Sequence, residues 1–98
     1  IQVDLCIKKG RVSRFGQNIK ACALGQAAAS VLAAHVIGKS AEDILAVRDQ
    51  VSDMLADKGS SPDGDWSALS ALAPAKDAKS RHGAILLPFN AVLKAFAS

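Results

Sequence analysis

The chain has 98 residues, half of them hydrophobic, which suits one small domain with its own core and excludes a disordered chain. Its net charge of +3 is uneven: five cations face only Asp4 in residues 1–20, three face seven carboxylates in residues 21–73, and four face Asp77 in residues 74–98. No apolar run is long enough to span a bilayer, the basic ends lack interleaved aromatics on which bases could stack, and two cysteines are too few for a disulfide framework; membrane insertion and nucleic-acid binding are therefore not expected, and a reducing, cytoplasmic setting is.

The first stretch, IQVDLCIKKG, alternates, with Ile1, Val3, Leu5 and Ile7 on one face and Gln2, Asp4, Cys6 and Lys8 on the other. Period two is the mark of a half-buried strand. The chain opens on Ile1 already inside this pattern, so further residues are expected upstream. KKGR is a turn signal, with Gly10 free to take positive φ. VSRFGQNIKA reads as a second strand, bulged at Gly16, and the two strands form an antiparallel hairpin. Two strands alone are marginal, so the hairpin must pack on helices.

From about Ala23 to Ile37 the pattern is helical and ends before Gly38. This helix is apolar nearly all round, which predicts a central, buried position. Ser40 caps a second helix with Glu42 and Asp43 in its first turn, where the helix dipole favours negative charge. Ile44, Val47, Val51, Met54 and Leu55 form its apolar stripe, while Asp49, Asp53 and Asp57 line the opposite, solvated side. DKGSSPDGD is a loop. Asp65 is placed to cap a short helix, Trp66 to Leu72, closed by Pro74. A last helix starts near Asp77 or Ala78, with Ile85, Leu86, Phe89, Leu93 and Phe96 as its inner face. Pro88 removes one backbone bond there and crowds the carbonyl of Ala84, predicting a kink or a break.

Cys22 is the first candidate for chemistry. A thiol at a helix N-terminus meets free N–H groups and the positive end of the dipole, and both favour thiolate, the form that binds metals and attacks sulfur. Gly25 and the alanines behind it leave room for a guest; the same smallness also fits tight packing around a buried cysteine. His82, on the inner face one turn before Ile85, is the second candidate: a neutral imidazole there could ligate a metal, or simply bond a carbonyl at the edge of the core. His35 reads as a surface cation near a helix C-terminus, and Cys6 as a bystander on the polar strand face. No Ser-His-Asp order, Gly-rich phosphate loop or CxxC pair is present, so no catalytic residue is assigned and the chain is not expected to be an enzyme. A cysteine hydrolase would need a third group orienting His82.

KACALGQAAASVLAAHVIGKS resembles the central stretch of the U-type iron–sulfur cluster assembly scaffolds (the IscU, SufU and NifU N-terminal family), which read roughly G-C-A-[IL]-S-x-A-S-A-S, a helix, then G-K-[ST]-x-x-[ED]. Cys22, Ala23, Leu24, Gln26, Ala27, Ala29 and Ser30 fit, as do Gly38, Lys39 and Ser40 and the acidic helix after them. The tail KSRHGAILLPFNAVLKAF is similar to the family's R-x-[HK]-C-[AS]-x-L-A-x-x-A-[IL]. The resemblance spans nearly the whole chain and implies one domain over residues 1–98 with an α+β fold, a small antiparallel β-sheet packed on a helical layer. It implies binding of an iron–sulfur cluster or zinc through Cys22 and His82, a cysteine desulfurase as sulfur donor, and iron–sulfur acceptor proteins or chaperones as further partners. Cys22 takes the place of the second family cysteine and His82 that of the residue before the third. Gly83 stands where the third cysteine would be, Gly25 replaces a serine, and the first cysteine with its aspartate would lie upstream of Ile1. A glycine cannot ligate, and structural zinc usually takes four protein ligands. The expected function is a divergent scaffold-like protein of iron–sulfur cluster assembly that binds iron, zinc or a cluster transiently or accepts sulfur at Cys22. The alternative is a protein-interaction module on the same fold that works without a cluster. The basic groups Lys8, Lys9, Arg11 and Lys76, Lys79, Arg81 are candidate docking points for partners.

Overall fold

The alternating N-terminal segment forms a hairpin of β1 (Gln2–Lys8) and β2 (Arg11–Asn18) in the computed structural model, which describes residues 2–97. Ile1, the first inward position of the alternation, lies outside the described residues. Lys9 and Gly10 make the turn, both at positive φ (54° and 76°), the backbone of the two-residue turn whose twist matches that of the flanking strands. Val3 and Leu5 are half-buried under the helices, and Ile7, beside the turn, stays 43% exposed. The bulge is not at Gly16, which pairs normally with Asp4; Cys6 pairs with Arg14 and Ile7 with Val12, so the extra residue is Ser13. Its position follows from spacing. Val12 and Phe15 are three residues apart, and strict alternation would send one of them outward. The extra residue brings both to the core side, and the Ser13 hydroxyl bonds the Cys6 carbonyl at 3.0 Å.

Helix α1 (Ala23–His35) follows directly. It is less enclosed than its composition predicts: Gly25, Ala28, Ala29 and Leu32 are buried, while Gln26, Ala27, Ser30 and Ala34 face outward. Small residues let one side pack closely without demanding that the other be covered. The helix ends one turn short of Gly38, which takes φ 87°. The connection then runs beside β2, with Val12 N–H bonded to the Lys39 carbonyl and Gly38 N–H to the Val12 carbonyl. Ser40 caps α2 (Ala41–Leu55) in a complete capping box: its hydroxyl accepts from Asp43 N–H at 3.2 Å and its own N–H donates to the Asp43 carboxylate at 3.0 Å. At the other end Asp57, at φ 59°, and Lys58 donate backward to the Met54 and Asp53 carbonyls, a Schellman closure that satisfies the last turn.

Residues 64–77 are where sequence and structure part. In place of a helix over 66–72 closed by Pro74, a 14-residue run of 3-10 turns spans Gly64–Asp77 with Pro74 inside it. Trp66, Leu69, Leu72 and Ala75 recur every third residue, and three residues per turn stack them on one buried face. Asp65 does not cap the run; its carboxylate takes the Lys39 ammonium at 2.6 Å. A short 3-10 turn, Lys79–Arg81, leads into α3 (His82–Ala97). That helix continues through Pro88 without the break the sequence predicts. Proline deprives only the Ala84 carbonyl of its N–H partner, and that carbonyl lies against the Cα of Gly25 in α1, where no side chain obstructs it. Ile85, Pro88, Phe89 and Val92 are buried, with Leu86, Leu93 and Phe96 packed at the core's margin.

The helices α1, α2 and α3 and the 3-10 run close around Leu32, Ile44, Val51, Leu69 and Phe89, and the hairpin covers α3. This is the expected α+β architecture, with its sheet on one side of a helical layer. No described helix is long and apolar enough to cross a membrane.

Candidate functional site

Cys22 occupies the N-cap of α1 in extended geometry (φ −66°, ψ 169°), and its carbonyl accepts the first helical bond from Gln26 N–H. A cysteine here replaces the usual hydroxyl or carboxylate cap. The N–H groups of Leu24 and Gly25 face the sulfur without closing a well-aligned capping hydrogen bond. They are nonetheless the two donors that a capping side chain would ordinarily satisfy. The thiol is half-buried and unpaired with Cys6.

What stands beside the sulfur is fixed by the crossing of α1 and α3. Gly25 presses on the first turn of α3 so closely that a Cβ on it would stand 3.1 Å from the Ala84 carbonyl oxygen and 3.0 Å from the Ala21 Cβ. Cys22 precedes Gly25 by three residues and Arg81 precedes Ala84 by three, so the starts of the two helices meet. Arg81, exposed at the start of α3, adds a positive charge that favours the Cys22 thiolate. The Cys22 thiol is held below its ordinary pKa, first by the Gly25 N–H, then by the Leu24 N–H and the Arg81 charge, with partial burial opposing them.

His82 is turned elsewhere. Its Nε2 donates to the Ala75 carbonyl at 3.0 Å, an oxygen that also accepts Ala78 N–H. The ring borders a cavity of about 540 Å³ with Leu55, Asp57, Lys76, Asp77 and Lys79. Cys22 is not among the walls. The group orienting His82 is thus a main-chain carbonyl, not the carboxylate or amide side chain that a cysteine hydrolase would use.

Among the described residues no group of three or more His, Cys, Asp and Glu could hold a metal. The groups that act on the Cys22 thiol, the Gly25 and Leu24 N–H groups and the Arg81 charge, offer protons and positive charge and no lone pair. The described residues therefore do not by themselves fit zinc or an iron–sulfur cluster, and no step below is routed through one. Cys6 is exposed on β1 and pairs across the hairpin with Arg14. Of the candidate docking cations, Arg11 is tied to the Gly38 carbonyl and to Asp43, and Lys76 reaches Asp57 at 3.7 Å; Lys8, Lys9 and Lys79 are exposed. His35 meets Trp66 edge-on at 6.0 Å, and Lys39 lies 5.8 Å over the same indole. Sequence reasoning counted Arg81 among the surface cations, and it is exposed; what that reading did not find is its charge acting on the Cys22 thiol. The available signal was its position at the start of a helix whose close partner carries a glycine three residues after Cys22.

The chain superposes on the crystal structure of a nitrogen-fixing NifU-like protein (N-terminal) from Brucella abortus with a TM-score of 0.92 and 40% identity, over 97% of this chain and 66% of that one. A second solved structure, of a hypothetical protein, shares the fold at a TM-score of 0.87 and 22% identity, over 98% of this chain and 71% of the other. No family model and no curated protein matches the chain.

Proposed function

This chain belongs to the NifU-like family, and from that premise we propose that it serves iron–sulfur cluster assembly as a scaffold-like carrier whose Cys22 accepts sulfur from a cysteine desulfurase. The observation that carries the reading is the half-buried Cys22 thiol at the N-terminus of α1, where the Gly25 and Leu24 N–H groups and the Arg81 charge favour its thiolate. The Cys22 thiolate attacks the outer sulfur of a persulfide on the donor. A new S–S bond forms at Cys22, the donor's S–S bond breaks, and its electron pair leaves on the donor's own thiolate. The step is redox-neutral and needs no further reagent. Small residues at the mouth of α1 leave access for a donor loop. Iron, zinc or a nascent cluster would be cargo, retained only with ligands supplied beyond Cys22, and would pass to acceptor proteins or chaperones. In this role the chain is a stoichiometric acceptor and not an enzyme, and its two free cysteines suit a reducing cytoplasm.

The test incubates the protein with a cysteine desulfurase and cysteine under anaerobic conditions and reads its intact mass and metal content. Added sulfur that survives Cys6→Ser and disappears in Cys22→Ser is the expected result. An unchanged mass, with no iron or zinc in either sample, rejects the proposal. Desulfurase binding that persists in Cys22→Ala without any sulfur transfer would favour an interaction module on the same fold instead.

A further inference from the structure

We propose that the tip of the β-hairpin, built from Lys8, Lys9, Arg11 and Arg14, is a docking site for an acidic segment of a partner protein. The register gathers these cations. Lys8 pairs with Arg11 on the last rung of the ladder and Cys6 with Arg14 two rungs further in, so Lys8, Arg11 and Arg14 share the outer, exposed face of the sheet, with Lys9 in the turn beside them. Two rungs cover only about 7 Å, so the positive groups crowd one end of the hairpin. Asp4, the one carboxylate of the hairpin, stands another two rungs away, opposite Gly16. Arg11 is drawn to the Gly38 carbonyl at 2.8 Å and to Asp43 at 3.5 Å. The side chains of Lys8, Lys9 and Arg14 form no hydrogen bond or ion pair among the described residues.

The hairpin itself gains nothing from this arrangement. Like charges directly opposite each other, as Lys8 and Arg11 are, weaken a ladder. Lys9 takes φ 54°, in the left-handed region where asparagine or glycine is the ordinary occupant of this turn position. Charge is thus held where a neutral residue would serve the fold better, the pattern expected of a binding surface. The surroundings decide the occupant. Ile7, 43% exposed at the same end, offers an apolar contact, while Phe15, the hairpin's one aromatic, is half-buried on the core side and gives a base nothing to stack on. Carboxylates flanking an apolar residue on a protein segment meet both features. The tip lies at one end of β2 and Cys22 beyond the other, and the strand spans roughly 25 Å. A segment docked at the tip therefore leaves the thiol uncovered, and the proposal is independent of the role given to Cys22.

The probe is a short fluorescein-labelled peptide of Asp, Glu and Leu, its binding read by anisotropy and its footprint by the backbone amide chemical shifts of the protein. Shifts should concentrate in residues 7–15 and fade with added salt, which supplies the reading should any variant fold poorly. Lys8→Gln, Lys9→Asn and Arg14→Gln combined should weaken the peptide roughly tenfold; Lys58→Gln, Lys76→Gln and Lys79→Gln combined, which remove the same charge elsewhere, should weaken it by less than about twofold. Lys9→Asn alone should raise the urea midpoint while weakening the peptide, opposite movements that a purely structural lysine would not give. No saturable binding, a footprint elsewhere, or equal losses in the two triple variants overturns the assignment. It is overturned equally if an oligonucleotide of the same charge or phosphatidylglycerol vesicles bind the tip more tightly than the peptide, or if the tip proves to mediate self-association that the first triple variant abolishes.

Discussion

Gly25→Ala sets two effects of known size against each other at the point where α1 packs on the first turn of α3. On helix propensity alone, alanine is worth about 0.5–1 kcal/mol more than glycine. Against this, the new methyl would stand 3.0 Å from the Ala21 Cβ, 3.1 Å from the Ala84 oxygen and 3.6 Å from the Ala84 carbonyl carbon. Two of those three atoms are backbone of the first turn of α3, so they cannot rotate away as a flexible side chain would. Overpacking of this kind costs about 1–3 kcal/mol. The gaps need only a few tenths of an ångström of relief, so the cost belongs near the middle of that range, leaving a net destabilisation of about 1 kcal/mol. In a domain of this size that lowers Tm by roughly 4–8 °C.

Gly83 supplies the reference. It lies in the first turn of α3, yet a Cβ on it meets nothing within 4 Å. Gly83→Ala should therefore gain about 0.5–1 kcal/mol, the full propensity term. Urea titrations followed by the fluorescence of Trp66, the single tryptophan and a buried one, compare the two variants directly. Opposite signs are expected. If Gly25→Ala proves as stabilising as Gly83→Ala, the helices are not in tight contact at this crossing. A functional corollary uses the same proteins: overpacking at Gly25 separates the two helix starts, so Cys22 alkylation at neutral pH should slow in Gly25→Ala and hold in Gly83→Ala.

Phe89 is fully buried at the centre of the core, so Phe89→Ala should cost about 3–5 kcal/mol, much of the margin of a small domain, and urea midpoints will show it. Ser40→Ala removes the cap of α2 and should cost about 1 kcal/mol in the same assay. The Asp43 carboxyl is held below its usual range, chiefly by the Ser40 N–H, with the Ser40 hydroxyl and Arg11 adding to it and burial opposing. A depressed folded-state pKa contributes stability that is complete above the unfolded value and is lost as pH falls through the folded one. Urea midpoints should thus decline on acidification, and less steeply in Asp43→Asn; equal slopes would count against the capping box as the source. Cys22→Asp places a permanent anion and a better cap where the Leu24 and Gly25 N–H groups and the Arg81 charge favour one, so it should raise Tm, whereas Cys22→Lys should lower it.

The strands, the Ser40 cap of α2 and the buried faces of α2 and α3 were legible because each depends on near neighbours in the chain: a period of two, a Ser just before two first-turn acids, a stripe at helical spacing. The bulge and the 3-10 run were written in spacing too, but in less familiar periods. Val12 and Phe15 at odd separation called for an extra strand residue, and Trp66, Leu69, Leu72 and Ala75 at intervals of three called for three residues per turn. Reading these as Gly16 and as a short α-helix gave local propensity more weight than periodicity. The site divided in the same way. Cys22 at a helix start was visible locally, but its neighbour depended on which residue of α3 the α1 crossing brought forward. Facing inward, His82 looked like that neighbour, and the fold spent it on the Ala75 carbonyl.

The small residues of α1 and the placement of its cysteine are then one feature and not two. α1 presents the Leu24 and Gly25 N–H groups and the positive end of its dipole where the first turn of α3 packs against it, and Arg81 adds a positive charge. Gathering positive charge in this way is electrostatically unfavourable unless something negative lies nearby. Close approach is enforced by Gly25, Ala28 and Ala29, whose lack of side-chain bulk lets dispersion and burial hold the helices despite the repulsion. Cys22 stands at this place and can carry negative charge, so thiolate formation or an added sulfur anion is favoured there. Weakening the packing at Gly25 should accordingly loosen the fold and, by the same separation of the two helix starts, leave a less reactive sulfur.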